Sequence, residues 1–208
     1  MKILFISLGC DKNLADSEEM LGLLTGNGHE IVDSEEEADA IVINTCCFIH
    51  DAKEESVNTI LEMAEYKKTG TCKILIVTGC MAQRYKEEIT EEIPEVDAVL
   101  GTTSYGDIVK ALNEAEAGHV FQEFKDINAL PEDSGRRVIT TGGHYGYLKI
   151  AEGCDKHCTY CIIPSLRGKF RSVPEERLLK QAEYMASQGV RELILVAQET
   201  TVYGTDLY

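Results

Sequence analysis

The chain has 208 residues, of which 44% are apolar and eight are cysteine, and its formal net charge is −16. That length and composition allow one or two domains with buried cores. No apolar run approaches the ~20 residues of a membrane span, so membrane association is not expected. The charge is lopsided: residues 1–135 carry 10 Lys and Arg against 28 Asp and Glu, a net of −18, whereas residues 136–208 carry 10 against 8. An acidic first part repels phosphates at long range, so direct nucleic-acid binding is not expected of this chain, and a basic protein partner suits it better.

The opening, MKILFISLGC, superficially resembles a lipoprotein processing site. Its apolar run is short for a signal segment and only Lys2 precedes it, so a buried first strand over Lys2–Ser7 is the better reading. Asp16 with Glu19 reads as a capping box that starts a helix carrying Met20, Leu21, Leu23 and Leu24, closed by Gly26 and Gly28. A short edge strand is expected at Glu30–Asp33 and a buried one at Ala40–Asn44. An amphipathic helix follows over about Ala52–Lys68, with Val57, Ile60, Leu61 and Ala64 on one face. Lys73–Thr78 is the next strand, followed by a helix from Met81 to Glu92 before Pro94. Asp97–Leu100 is a further strand, and Ser104 with Asp107 opens a helix that Gly118 closes. Strands alternating with helices predict an α/β fold with an open parallel, Rossmann-like sheet.

Cys10, Cys46 and Cys80 each follow the end of a predicted strand. In an open parallel sheet those ends share one edge, where ligands bind, so three cysteines spread over seventy residues are expected to meet there as a metal site. The helix N-termini at such ends also tend to lower thiol pKa values. The plainer alternative is three small buried residues near strand ends. Cys47 and Cys72 fit no such rule and are read as structural.

Residues 118–144 hold Pro131, Gly135, Gly142 and Gly143 and read as an irregular linker, which divides the chain into domains 1–135 and 136–208. Tyr145–Ala151 is the first strand of the second part and leads directly into Cys154, Cys158 and Cys161 at Cys-x3-Cys-x2-Cys spacing. Thiolates suit iron–sulfur clusters or zinc. Structural zinc wants four ligands, and His157 is poorly spaced to add one, whereas three thiolates can hold a 4Fe–4S cube with one iron open for chemistry. Ser172 with Glu175 forms another capping box, Pro174 fits the first turn of a helix running to Gly189, and Glu192–Val196 is the next strand. The cluster loop thus sits at the carboxyl end of its strand, the active face of a β/α barrel. Two strands cannot close a barrel, so the expectation is an incomplete barrel from a longer protein, inactive as this piece alone.

The segments LGCDKN, NTCCFI, TGCMAQRY and EGCDKHCTYCIIPSLRGKFRS, in that order, resemble the methylthiotransferases, a two-cluster branch of the radical S-adenosylmethionine enzymes. The likeness covers essentially the whole chain. Among them it resembles most the type that modifies an aspartate of a small-subunit ribosomal protein. The resemblance implies that Cys154, Cys158 and Cys161 hold the radical 4Fe–4S cluster and Cys10, Cys46 and Cys80 an auxiliary 4Fe–4S cluster. It implies S-adenosylmethionine as methyl and radical source, an external electron donor, and a methylthio group added to the aspartate β-carbon of the ribosomal protein. Tyr160 and Gln198 take positions where relatives contact S-adenosylmethionine. Arg167, Lys169 and Arg171 form a small basic group, read mainly as a solvated turn. Two alternatives stand: the same chemistry on a modified adenosine of transfer RNA, and a non-catalytic iron–sulfur or zinc protein. Eight cysteines without a secretion signal point to a reducing, cytoplasmic setting.

Overall fold

A computed structural model describes all 208 residues. Its first part is a six-stranded parallel sheet in the order β2-β1-β3-β4-β5-β6. The strands are β1 (Lys2–Ser7), β2 (Glu30–Val32), β3 (Ala40–Thr45), β4 (Ile74–Gly79), β5 (Ala98–Leu100) and β6 (Phe121–Glu123). Every residue of β3 and β4 is buried, as their unbroken apolar runs require of strands covered on both faces. Successive side chains point to opposite faces. Ile41, Ile43, Leu75 and Val77 therefore pack with Ile60, Met63 and Ala64 of α2 (His50–Thr69). Val42, Ile74 and Ile76 meet Met20 and Leu24 of α1 (Asp11–Gly26) and Leu112 of α5 (Ile108–Glu116) on the other face. Full burial of each such aliphatic side chain stabilises the fold by about 1.5–3 kcal/mol.

Several expectations change in detail. Helix α1 begins at Asp11 with Cys10 as its N-cap, so Asp16 lies inside the helix and is buried. The single helix expected after Cys80 is two short ones, α3 (Cys80–Arg84) and α4 (Lys86–Glu92), separated at Tyr85. The segment read as a linker contains β6, which completes the sheet beside β5. The one apolar residue of β6, Phe121, packs against the core beside α5 but is too slight a signal for a strand to be read from the sequence.

The second part pairs β7 (Tyr145–Lys149) in parallel with β10 (Glu192–Val196), the helix α7 (Glu175–Ser187) lying between them in sequence. Between β7 and α7, two residue pairs of β8 (Ala151–Glu152) and β9 (Arg171–Ser172) join antiparallel and close the base of the cysteine loop, which also carries α6 (Ile163–Arg167). Ser172 does not cap α7: its Oγ accepts a hydrogen bond from the Gly204 amide at 2.8 Å, and Pro174 occupies the N-cap without a side-chain bond. A small core of Leu148, Ile150, Val173, Leu178, Met185 and Val190 holds this part together. Leu193, Ile194 and Leu195 of β10 stay exposed. No helix is long and apolar enough to cross a membrane.

Candidate metal centres

The register of the sheet brings the first three cysteines to one edge. Ser7 stands opposite Asn44 and Thr45 opposite Gly79, so Cys46 and Cys80 leave neighbouring strands side by side, with Cys10 three residues past β1. Two glycines make the close approach possible. Gly9 has φ +95° and a Cβ there would lie 2.7 Å from the Cys46 Cβ; Gly79 has φ +92° and a Cβ would meet Asn44 Oδ1 at 2.3 Å. Asn13 ties the turns together, its Nδ2 donating to Leu8 O at 3.1 Å and Thr45 O at 2.9 Å. Asn44 answers by donating to Asn13 O at 2.9 Å and Ser17 Oγ at 2.9 Å.

These cysteines line one cavity of about 500 Å³, shared with Phe48 and Ile49 and, from the second part of the chain, with Leu166, Arg167 and Gln198. Cys10 is exposed while Cys46 and Cys80 are buried. The Cys80 Sγ lies 3.8 Å from Asn13 Oδ1. Burial pushes the Cys80 thiol up, and the neighbouring Arg167 guanidinium opposes that shift, so the expected lowering at a helix N-terminus does not prevail at this site. Cys47 and Cys72 sit in the core: burial pushes Cys47 up to about 12, and the two thiols donate to Cys80 O and Ile74 O, each at 3.3 Å.

The loop with the other three cysteines is held at its stem. Gly153 has φ +71°, and a Cβ would lie 2.1 Å from Lys169 O. The Cys154 amide donates to Gly168 O at 3.1 Å, and Asp155 Oδ1 accepts from the Phe170 amide at 2.9 Å. Cys154 and Cys161 are half-buried and Cys158 is exposed. Lys156 ion-pairs with Glu199 beyond β10, and the bond from that ammonium holds the Glu199 carboxyl down to about 2. Tyr160 is 88% exposed. Gln198 sits in the shared cavity with its Oε1 buried and unpartnered.

No three His, Cys, Asp or Glu side chains stand in ligating geometry. The donor chemistry fits iron–sulfur clusters: each set offers three thiols, and a cube held by three thiolates keeps one metal position open. The first set opens on a cavity, and the second lies on a solvent-facing loop.

Between the two sets lies a buried ionic cluster. Asp16 pairs through one oxygen with Lys149 and through the other with Arg167 at 2.7 Å; Lys149 also pairs with Glu152, which faces Arg167 at 3.6 Å. All four side chains are at most 8% exposed. Burial works against the charge on Lys149, but Asp16 and Glu152 hold its ammonium above the usual range. Likewise, burial pushes Glu152 up, and Lys149 with Arg167 more than offsets it. Arg167 is thus not part of a solvated turn, although exposed Lys169 and half-buried Arg171 remain near the surface. Nearby, the Glu18 carboxylate accepts from Arg137 Nε at 2.8 Å and from Thr140 N and Oγ1 at 2.7 Å each. Breaking one such buried partner costs about 3–5 kcal/mol, while the net worth of an intact buried pair is small. These contacts therefore act mainly to fix how the second part sits on α1. The one sequence signal for them is Lys149, a lone charge between Leu148 and Ile150.

Comparison with known proteins adds the following. Residues 2–101 match the uncharacterized protein family UPF0004, and residues 148–207 match the Radical SAM superfamily. The whole chain is 66% identical to a protein of Lachnoclostridium phytofermentans named ribosomal protein uS12 methylthiotransferase RimO, of which it spans 47%. Proteins of the same name from Clostridioides difficile and Acetivibrio thermocellus are each 51% identical, again over 47% of their length. The chain thus spans about 47% of the length of these relatives.

Proposed function

We propose, from the likeness of all 208 residues to part of proteins named methylthiotransferases and from the match of residues 148–207 to the Radical SAM superfamily, that the protein carrying this chain is a radical S-adenosylmethionine methylthiotransferase that adds a methylthio group to an aspartate β-carbon of a small-subunit ribosomal protein. The observation that carries this reading is the presence of two separate three-cysteine sets on the two parts of one chain, one of them opening on a cavity that both parts line. Cys154, Cys158 and Cys161 would hold one 4Fe–4S cluster, and Cys10, Cys46 and Cys80 a second. Bound with S-adenosylmethionine, these groups supply reductive cleavage to a carbon radical and delivery of sulfur.

The chain's own residues do the rest. Gly153 and Gly168 give the radical loop its tight stem, and the Lys156–Glu199 pair fastens it to the end of β10. Gln198 offers a buried amide oxygen to a polar group entering the cavity. Phe48 and Ile49, both exposed at its rim, would exclude water from the reacting centre once substrate covers them. Tyr160, on its exposed loop position, is free to turn toward a bound adenine. An external one-electron donor is required. The acidic first part complements a basic ribosomal protein better than an RNA.

The test uses the intact protein containing these residues, reconstituted anaerobically and given S-adenosylmethionine, a one-electron reductant and the ribosomal protein. Deoxyadenosine release that requires Cys154, together with a methylthio group on an aspartate that also requires Cys46, is the expected result. Deoxyadenosine without protein modification, accompanied by methylthio-adenosine in transfer RNA, would move the substrate to RNA.

A further inference from the structure

The Arg167 guanidinium reaches out of the radical part of the chain and into the cysteine cavity of the first part. It is 3% exposed, lines that cavity with Cys10, Cys46 and Cys80, and donates through Nη2 to Asn13 Oδ1. The same Asn13 oxygen is the polar neighbour of the Cys80 Sγ at 3.8 Å. The other edge of the guanidinium is fixed from behind, with Nη1 on Asp16 Oδ2 at 2.7 Å. Its backbone is held as well: Thr102 Oγ1 donates to Leu166 O at 2.7 Å, and Arg171 Nη1 donates to Arg167 O at 3.0 Å. Asp16 and Glu152 are shared with Lys149, so two carboxylates face two cations and the cluster is balanced before any metal is present.

We propose that Arg167 is a positioning residue of the auxiliary cluster site, a fixed positive charge that favours the reduced form of a cluster held by Cys10, Cys46 and Cys80. The inference rests on the two-cluster reading above. A nearby buried cation stabilises the extra electron of a reduced cluster, because charges interact strongly where water is excluded. The planar fork suits the double task of holding Asp16 and Asn13 at once; lysine can keep the charge but not both bonds.

The experiment is done in the intact protein carrying Cys154, Cys158 and Cys161→Ala, so that only the auxiliary cluster remains. Iron per chain is measured first, then the midpoint potential by a spectroscopically followed reductive titration. Arg167→Gln is expected to keep its iron and move the potential negative, Arg167→Lys to stay near the parent, and Asp16→Asn, which removes a neighbouring negative charge, to move it positive. Where Arg167→Gln does not fold, the double variant Asp16→Asn with Arg167→Gln, which removes both charges of the pair, is compared with Asp16→Asn alone, and a more negative potential in the double variant carries the proposal. Full iron with an unmoved potential in Arg167→Gln overturns it, as does a double variant equal to Asp16→Asn where Arg167→Gln is lost. Absence of iron from the parent background itself overturns the two-cluster reading instead.

Discussion

Replacing Arg137 with Met removes the only counter-charge of a carboxylate that has no access to water. Glu18 is 0% exposed and Arg137 is 7% exposed, and they meet through Nε at 2.8 Å and Nη2 at 2.6 Å. Thr140 continues to donate two hydrogen bonds to Glu18 in the variant, so the cost falls near the lower end of the range for a broken buried pair, about 3 kcal/mol. For a chain of this size each kcal/mol lowers the melting temperature by about 2–4 °C, so a loss of about 6–12 °C is expected. The assay is thermal and urea unfolding followed by circular dichroism on the metal-free chain. The double variant Glu18→Met with Arg137→Met removes both charges and is expected to recover more than half of the loss. A single variant within about 0.5 kcal/mol of the parent, or a double variant no better than the single, would refute the reasoning that an unpaired buried charge sets the cost.

Two glycine variants separate the two cysteine sites. Gly79→Ala forces a Cβ to within 2.3 Å of Asn44 Oδ1 at φ +92° and is expected to cost about 1–3 kcal/mol; iron analysis should show the auxiliary site emptied and the radical site filled. Gly153→Ala, whose Cβ would lie 2.1 Å from Lys169 O, should do the reverse. A pH effect follows from Glu19, whose carboxyl is held above the usual range by burial and accepts from the Tyr105 hydroxyl at 3.2 Å. Because the folded chain holds this proton more tightly than the unfolded one, stability falls as pH rises from about 4.3 through the folded-state value. Glu19→Gln should flatten that slope and be equal to or more stable than the parent at neutral pH, read from urea midpoints across the range. A steeper slope in the variant would contradict the burial argument.

The sheet was legible because β3 and β4 hold the unbroken apolar runs Ala40–Ile43 and Ile74–Val77, the pattern of strands buried on both faces, spaced by helical segments. The meeting of Cys10, Cys46 and Cys80 was legible for a topological reason: parallel strands put their carboxyl ends on one edge whatever the intervening sequence. Helix α1 was harder. Asp16 and Glu19 read as a capping box, yet both are buried, as are Asn13, Ser17 and Glu18. The partners of Asp16 and Glu18, namely Lys149, Arg167 and Arg137, come more than a hundred residues later, and no local period encodes a pairing at that separation. The same gap hid Arg167, which in the sequence is one of three basic residues in a turn and in the structure is the one that enters the cysteine cavity.

Iron and acid-labile sulfide per chain, measured after anaerobic reconstitution of the parent and of two triple Cys→Ala variants, test most directly whether one chain holds two clusters. Two independent 4Fe–4S sites predict roughly eight irons in the parent and roughly four when either Cys10, Cys46 and Cys80 or Cys154, Cys158 and Cys161 are replaced. About four irons in the parent, all lost with the second triple variant, would contradict the auxiliary site, and zinc in place of iron would contradict both.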